Sequence, residues 1–350
     1  MMLRWGGEEA APFRTDIGGK TMTRVTGGAA ALLAASIAAT AIVSPAWGQQ
    51  SYPTKPIRVV LPIPPGAGVD IILRKAGEAL LPRLGQGFVV ENKASANMVT
   101  GADACSKAMP DGYTICGLSA LSLSYNPHTI SKLPYDADKD FTPVVNMFYL
   151  LEGILAKAAL PANSVKELQT FAQKNPGKLN YGTLGPGSTT DISRLWLEEK
   201  WNTRIAGIPY KGGPAIVQAL AAGEVDFARI GAYNALGLIK SGKVKILAVG
   251  GSKRPKVMPQ VPTLQEVGLD GIPPDRAWWG VFVPAGTSEA VVKRLNSEFV
   301  RLFRQRDFAD WLESQLVEIA VGTPDEFAAF IRKDREYARR LVVKYKVPVQ

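Results

Sequence analysis

Two glycine-bearing turns carry the residue types that can hold an anion without any charged side chain. In the first, residues 62–70 (PIPPGAGVD), Gly66 and Gly68 let the backbone approach a ligand closely. The helix expected just beyond them offers N–H groups that lack an intrahelical partner, which suits a carboxylate or phosphate. The second turn, residues 182–190 (GTLGPGSTT), stands in the same place relative to its own strand and helix. Gly185 and Gly187 supply freedom there, and Ser188, Thr189 and Thr190 supply hydroxyl donors. Each turn also has a plain reading: a tight turn with no ligand, and a serine that only caps its helix. One turn in each half of the chain, however, is the arrangement that grips a small anion from two sides in a concave site.

Arg229 is the third candidate. In VDFARI, Val225, Phe227 and Arg229 share one face of a strand by period two. At the carboxyl end of a central strand its guanidinium would clamp a carboxylate bidentately. A solvated or internally paired arginine is the competing reading. Tyr233 and Asn234 are placed to shape the same pocket or to cover a helix over 232–240. Lys211 reads as an exposed lysine, and the neighbours Trp278 and Trp279 as core, with one of them able to face a cleft.

Machinery for bond-making is not marked. His128, the one histidine, sits in SYNPHTI with no oriented partner or nucleophile. GPGST and GLSAL do not match a nucleophile elbow, and no dinucleotide or P-loop fingerprint follows a strand. Two cysteines, Cys105 and Cys116, without a CxxC or a histidine partner make a poor zinc set. Separate burial is their expected state, with a disulfide open in an oxidising compartment. The expectation is therefore a binder, with no catalytic residues, no cofactor and no metal.

The elements that position these residues alternate strand and helix. Residues 57–61 (IRVVL) form a continuous apolar run of the kind buried on both faces of a sheet, closed by Pro62, Pro64 and Pro65. Leu73, Ala76, Leu80 and Leu84 repeat at helical spacing and predict a helix over 69–84. Strands follow at 88–91 and 113–118, with a helix around 100–108 between them. Further strands are expected at 150–156, 179–183, 205–209, 225–230, 245–249 and 278–283. Ser164, Ser188, Thr263 and Thr323 each stand three residues before an acidic residue and mark helix starts. Such repeats argue for parallel sheets in two lobes; a (β/α)₈ barrel stays open on pattern alone.

Composition fits this class. The chain has 350 residues, 46% hydrophobic and 21% charged, enough for two apolar cores. The formal charge is +10 but evenly spread, with no basic arm, so no nucleic-acid partner is expected. Residues 1–48 read as a secretory leader: Arg24, the apolar stretch GGAAALLAASIAATAIV, then small residues Ala46 and Gly48. The start is Met1 or Met22. The apolar stretch is too short for a lasting membrane span, and a periplasmic location follows.

An ordered set of short stretches resembles one family. YPTKPIRVVLPIPPGAGVD (52–70), VVENKASA (89–96), PDGYT (110–114), LPYDADKDFTPV (133–144), PGKLNYGT (176–183), PYKGG (209–213), GEVDF (223–227), VPTLQEVGL (261–269) and VPAGTS (283–288) are similar to tripartite tricarboxylate transporter substrate-binding proteins, the Bug or TctC-like periplasmic receptors. The resemblance runs from 52 to about 333. It implies a type II periplasmic-binding-protein fold, two α/β lobes with a ligand cleft between them: 52–149 plus 276–335, and 150–275, with a tail at 336–350. It also implies binding of a small organic mono- or dicarboxylate for a membrane permease. A membrane signalling protein is the alternative partner, and a monomer is expected because one cleft needs no partner chain. The ligand residues carried over are Ile63, Gly66, Ala67, Gly68 and Asp70 in one lobe, and Thr183, Gly187, Ser188, Thr189 and Thr190 in the other. Asp70 would organise backbone N–H groups rather than touch an anion. This chain departs from the family where Ile63 replaces a phenylalanine and Ala96, Asn97 and Met98 replace a small flexible turn. It departs again where Asp191 replaces a histidine, and where Ile230 and Gly231 replace an aspartate and asparagine after Arg229. The last change leads to the expectation that Arg229 favours a second carboxylate on the ligand.

Overall fold

The computed structural model describes residues 52–251, 253–273 and 277–350, so the expected leader at 1–48 lies outside the described residues. In chain order the elements are β1 (Ile57–Leu61), α1 (Gly68–Leu84), β2 (Phe88–Asn92), α2 (Val99–Ser106), β3 (Thr114–Ser119), α3 (Asn126–Thr129), β4 (Phe141–Leu150) and β5 (Glu152–Lys157). Then come α4 (Val165–Lys174), β6 (Asn180–Thr183), α5 (Thr189–Trp201), β7 (Ala206–Pro209), α6 (Gly213–Ala222), β8 (Phe227–Gly231), α7 (Leu236–Lys240) and β9 (Val244–Val249). The chain closes with β10 (Ala277–Pro284), α8 (Glu289–Phe303), α9 (Arg306–Ser314), β11 (Val317–Ile319) and α10 (Pro324–Lys344).

These strands form two mixed sheets, which rules out a single closed barrel. One has the order β11-β4-β10-β3-β1-β2 and the other β7-β6-β8-β5-β9. β1 runs parallel to β2 and β3, and β6 parallel to β7 and β8. In each half the glycine-bearing turn therefore leaves the carboxyl end of a parallel strand. β10 and β5 pair antiparallel with their neighbours. The chain passes from one sheet to the other at Leu151, between β4 and β5, and returns between β9 and β10.

Apolar periodicity builds the layers. Ile72, Leu73, Ala76, Leu80 and Leu84 of α1 are buried against the first sheet, in one cluster with Ile57, Val59 and Leu61. Leu168, Leu197, Trp201 and Phe227 form the core beside the second sheet. A third cluster links the halves, running from Val60 and Leu118 through Leu184 and Ile216 to Leu341 and Val347. Thr323 and Glu326 close a capping box at the start of α10, with Pro324 in its first turn. α10 then runs unbroken past residues 335–336, where a lobe-to-tail boundary is expected.

Four local expectations change. The apolar run expected as a strand over 150–156 is interrupted at Leu151, because there the chain leaves one sheet for the other. β4 is not foreseen, since Pro143 sits inside it; β11 pairs only with Phe148–Leu150, so Pro143 faces an open edge, where a missing N–H costs no ladder bond. Thr263 and Glu266 do exchange the expected capping bonds, but Gly268 at φ +74° turns the chain away and no helix follows. Finally, Cys105 and Cys116 are joined in a disulfide rather than buried apart, bridging α2 to β3 with Cα atoms 6.2 Å apart. Helix spacing and strand position bring them within reach, which their sequence separation could not reveal.

Candidate functional site

Two turns of matching construction face each other. In the first, Gly66 adopts φ +79° and donates its N–H to Asp70 Oδ2 at 2.9 Å, while Arg74 Nε donates to the same carboxylate at 3.1 Å. In the second, Gly187 adopts φ +73° and donates to Asp191 Oδ2 at 3.0 Å, while Arg194 Nε donates to Asp191 Oδ1 at 2.9 Å. Each half thus repeats glycine, aspartate four residues on, then arginine. The aspartate ties the turn to the first turn of its helix and the arginine neutralises it. Burial pushes the Asp70 carboxyl up, but bonds from Arg74, Gly66 and Asn92 outweigh that and hold it below the usual carboxylate range. Asp70 organises the first turn through the Gly66 N–H, and Asp191 organises the second through the Gly187 N–H.

The turns and three helix starts wall one cavity of about 80 Å³. At about 10–15 Å³ of such space per water, it has room for about six waters or one small organic molecule. Ile63, Ala67, Gly68 and Val69 come from the first turn and α1, Leu184 and Thr189 from the second turn and α5, and Gly213 and Pro214 from the start of α6. No side chain caps α1, whose N-cap is Ala67, or α6, whose N-cap is Gly212. First-turn N–H groups of α1 beyond Gly68, and those of α6 other than Pro214, which has none, lack a side-chain cap, and aligned peptide dipoles add positive potential at each of these ends. Met98, Leu121, Leu150, Ile230 and the faces of Trp278 and Trp279 supply an apolar remainder. Both tryptophans are core, and both also border the cavity; Trp278 Nε1 donates to Asp334 Oδ2 at 2.7 Å.

The candidate residues divide into wall and frame. Ile63, Ala67, Gly68 and Thr189 line the cavity. Gly66, Asp70, Thr183, Gly187, Ser188 and Thr190 do not; they hold the turns in shape. Thr183 Oγ1 accepts from the Gly185 N–H, Thr190 Oγ1 from the Leu184 N–H at 2.8 Å, and Ser188 Oγ caps α5 through the Asp191 N–H. Ser188 and Thr190 share a further hydroxyl bond of 3.0 Å. Tyr233 and Asn234 join the wall and meet the opposite half directly: the Gly68 N–H donates to Asn234 Oδ1 at 3.5 Å. Lys211 is exposed and His128 is half-buried in α3, outside the cavity.

Arg229 is placed differently from the expectation that it clamps a ligand. Its Nη2 pairs with Glu152 at 3.0 Å, and its Nη1 donates to Ser193 Oγ at 3.0 Å and Pro273 O at 2.7 Å. Arg229 lines a second cavity, of about 270 Å³, and is absent from the wall of the first. Glu152 borders both. Burial drives the Glu152 carboxyl above its ordinary value, and Arg229 offsets this only in part. The residues that sequence reasoning missed are Glu152, Ser119 and the start of α6. A charged residue in the apolar run LLEGILAK and the Gly-Gly-Pro at 212–214 were the available signals. Among the described residues no group of histidine, cysteine and acidic side chains could hold a metal ion.

Known proteins place this arrangement. A family model described as "TctC: Tripartite tricarboxylate transporter family receptor" matches residues 72–346. The chain is 31% identical over 85% of its length to the "UPF0065 protein in tcbD-tcbE intergenic region" of Pseudomonas sp. (strain P51), covering 88% of that protein. The solved periplasmic binding protein BugD superposes with a TM-score of 0.79 at 28% identity, over 85% of this chain and all of that one. MatC from Rhodopseudomonas palustris, solved with bound malate, gives a TM-score of 0.75 at 30% identity, over 83% of this chain and all of that one.

Proposed function

The chain belongs to the tripartite tricarboxylate transporter receptor family, and from that premise we propose that its cavity captures a small organic carboxylate by closing two α/β lobes around it. It is a periplasmic solute-binding protein of this transport class, with the two-domain fold of periplasmic binding proteins, and it binds without transforming. The observation that carries the ligand reading is that both glycine turns and the uncapped start of α1 border one mostly apolar cavity. A carboxylate there accepts from first-turn N–H groups of α1, from Thr189 and from the start of α6. Each charge-assisted bond contributes about 1.5–3 kcal/mol, and two or three offset the cost of ordering the lobes. The apolar walls take the carbon skeleton, as a malate-sized ligand requires; malate is what MatC holds.

The lobes of this reading are 52–149 plus 276–335 and 150–275, hinged where the chain changes sheet, with residues 336–350 strapped across both. Gln350 Nε2 donates to Pro186 O, and Ser131 N–H donates to Gln350 O, which ties the end of the chain to each half. The closed monomer is then offered to a membrane permease. The ligand set of this reading is Ile63, Ala67, Gly68 and Thr189 in contact, with Gly66, Asp70, Thr183, Gly187, Ser188 and Thr190 as the frame. Native mass spectrometry of the purified protein, followed by denaturation, tests it: release of an organic acid, or its tight uptake in titration, is expected. A protein that neither carries nor binds any small carboxylate defeats the reading.

A further inference from the structure

Glu152 does not belong in a pocket built only for an anion. Its side chain is 7% exposed, it borders the ligand cavity, and a carboxylate placed there repels the carboxylate of a ligand. Arg229 neutralises it through one contact, Nη2 to Oε2 at 3.0 Å. Its Nη1 turns elsewhere, to Ser193 and to the carbonyl of Pro273. A carboxylate has about four acceptor directions, and Arg229 satisfies one of them. The neutral side chains of the same wall with polar atoms, Ser119, Thr189, Tyr233, Asn234, Trp278 and Trp279, make no bond to Glu152; Asn234 is engaged with the Gly68 N–H and the Gly231 carbonyl, and Trp278 with Asp334. Buried acceptors without partners are costly, so a ligand in this cavity that brings a donor to the carboxylate is favoured over one that does not.

On the reading of the cavity given above, we infer that the preferred ligand is a carboxylic acid bearing a hydroxyl or ammonium group, and that Glu152 selects it by accepting a hydrogen bond from that group. The two ends of the ligand then meet opposite requirements: its carboxylate meets helix N-termini, and its donor meets the Glu152–Arg229 pair. In so small a cavity the two groups lie within a few bonds of one another. Arg229 acts as a positioning residue, pairing with Glu152 and orienting it rather than touching the ligand.

The test is a titration of the purified protein with C3 to C6 mono- and dicarboxylates, each unsubstituted, 2-hydroxylated and 2-aminated; succinate, malate and aspartate are one such set. Within at least one set the wild type is expected to bind the hydroxy or amino acid about 10- to 100-fold more tightly than the unsubstituted acid, the range for a hydrogen bond to a charged group. Which of the two wins tells hydroxyl from ammonium. Glu152→Gln is expected to cut that preference by about tenfold. The pair replacement Glu152→Leu with Arg229→Met removes both charges of the ion pair together and is expected to abolish it. Equal binding of substituted and unsubstituted acids by the wild type overturns the inference and leaves the carboxylate reading standing. So does a preference that survives both replacements. Binding of no acid in any set defeats the cavity reading itself and the inference with it.

Discussion

Replacing Gly68 with alanine tests whether the two halves must meet at the cavity for a ligand to be held. A Cβ on Gly68 would lie 2.3 Å from Cδ1 of Tyr233 and 2.9 Å from its Cε1. Carbon atoms pack at about 3.5 Å, so the ring and the start of α1 must separate by about 1.2 Å. Neighbours Ala232 and Ala235 are fully buried, which leaves the Tyr233 backbone little freedom to retreat. Relief by parting the lobes is the softer response, and overpacking of this kind costs about 1–3 kcal/mol. That cost falls on closure, predicting a dissociation constant raised about 5- to 150-fold. The unliganded fold is expected to be unharmed, because Gly68 has no left-handed φ and alanine is favoured over glycine in a helix by up to about 1 kcal/mol. Calorimetric titration and thermal melting of Gly68→Ala, alone and with Tyr233→Ala, separate the two effects. In the Tyr233→Ala background the glycine replacement should cost almost nothing. A Gly68→Ala protein that binds like the wild type, or loses as much with Tyr233 absent, refutes the reasoning.

Three further perturbations follow from the frame around the site. Reduction of the Cys105–Cys116 disulfide should lower unfolding free energy by about 3 kcal/mol, from the entropy of a short closed loop, and appear as a lower melting temperature in dithiothreitol; an unchanged melt contradicts this. The Asp70 carboxyl lies below its unfolded value, so its stabilisation is present above about pH 4 and is lost as pH falls through the folded value. Asp70→Asn should cost about 2 kcal/mol at pH 7, with the gap to wild type closing in acid denaturation curves below pH 4; a gap independent of pH counts against it. Arg229→Met alone should destabilise by about 3–5 kcal/mol by stranding buried Glu152, whereas the double replacement with Glu152→Leu should recover most of that in urea melts.

Much of the architecture is legible in the sequence because local rules and the global fold agree. The apolar run at 57–61 and the Leu73–Leu84 spacing each mark an element that forms within a residue of its expected bounds, and the Thr323–Glu326 box marks where α10 starts. Where reading fails, the deciding contact is nonlocal. Pro143 is tolerated only because β11 is short, and Leu151 breaks a run because two sheets meet there. The site divides along the same line. Turns that leave parallel strands are visible as glycine and hydroxyl patterns, and both reach the cavity. Arg229 and Glu152 lie far apart in sequence, and antiparallel pairing of β5 with β8 brings them together, so a lone arginine read as a clamp is in fact half of an ion pair. Asp191, an apparent departure from the family, repeats the work of Asp70 in the other half.

A crystal structure of the protein with its co-purified or tightest-binding acid is the most direct measurement. Carboxylate oxygens should sit about 2.7–3.1 Å from first-turn N–H groups of α1 and from Thr189, between the two sheets. An acid seated instead in the larger cavity beside Arg229, with the helix starts untouched, would contradict the placement of the ligand at the paired glycine turns.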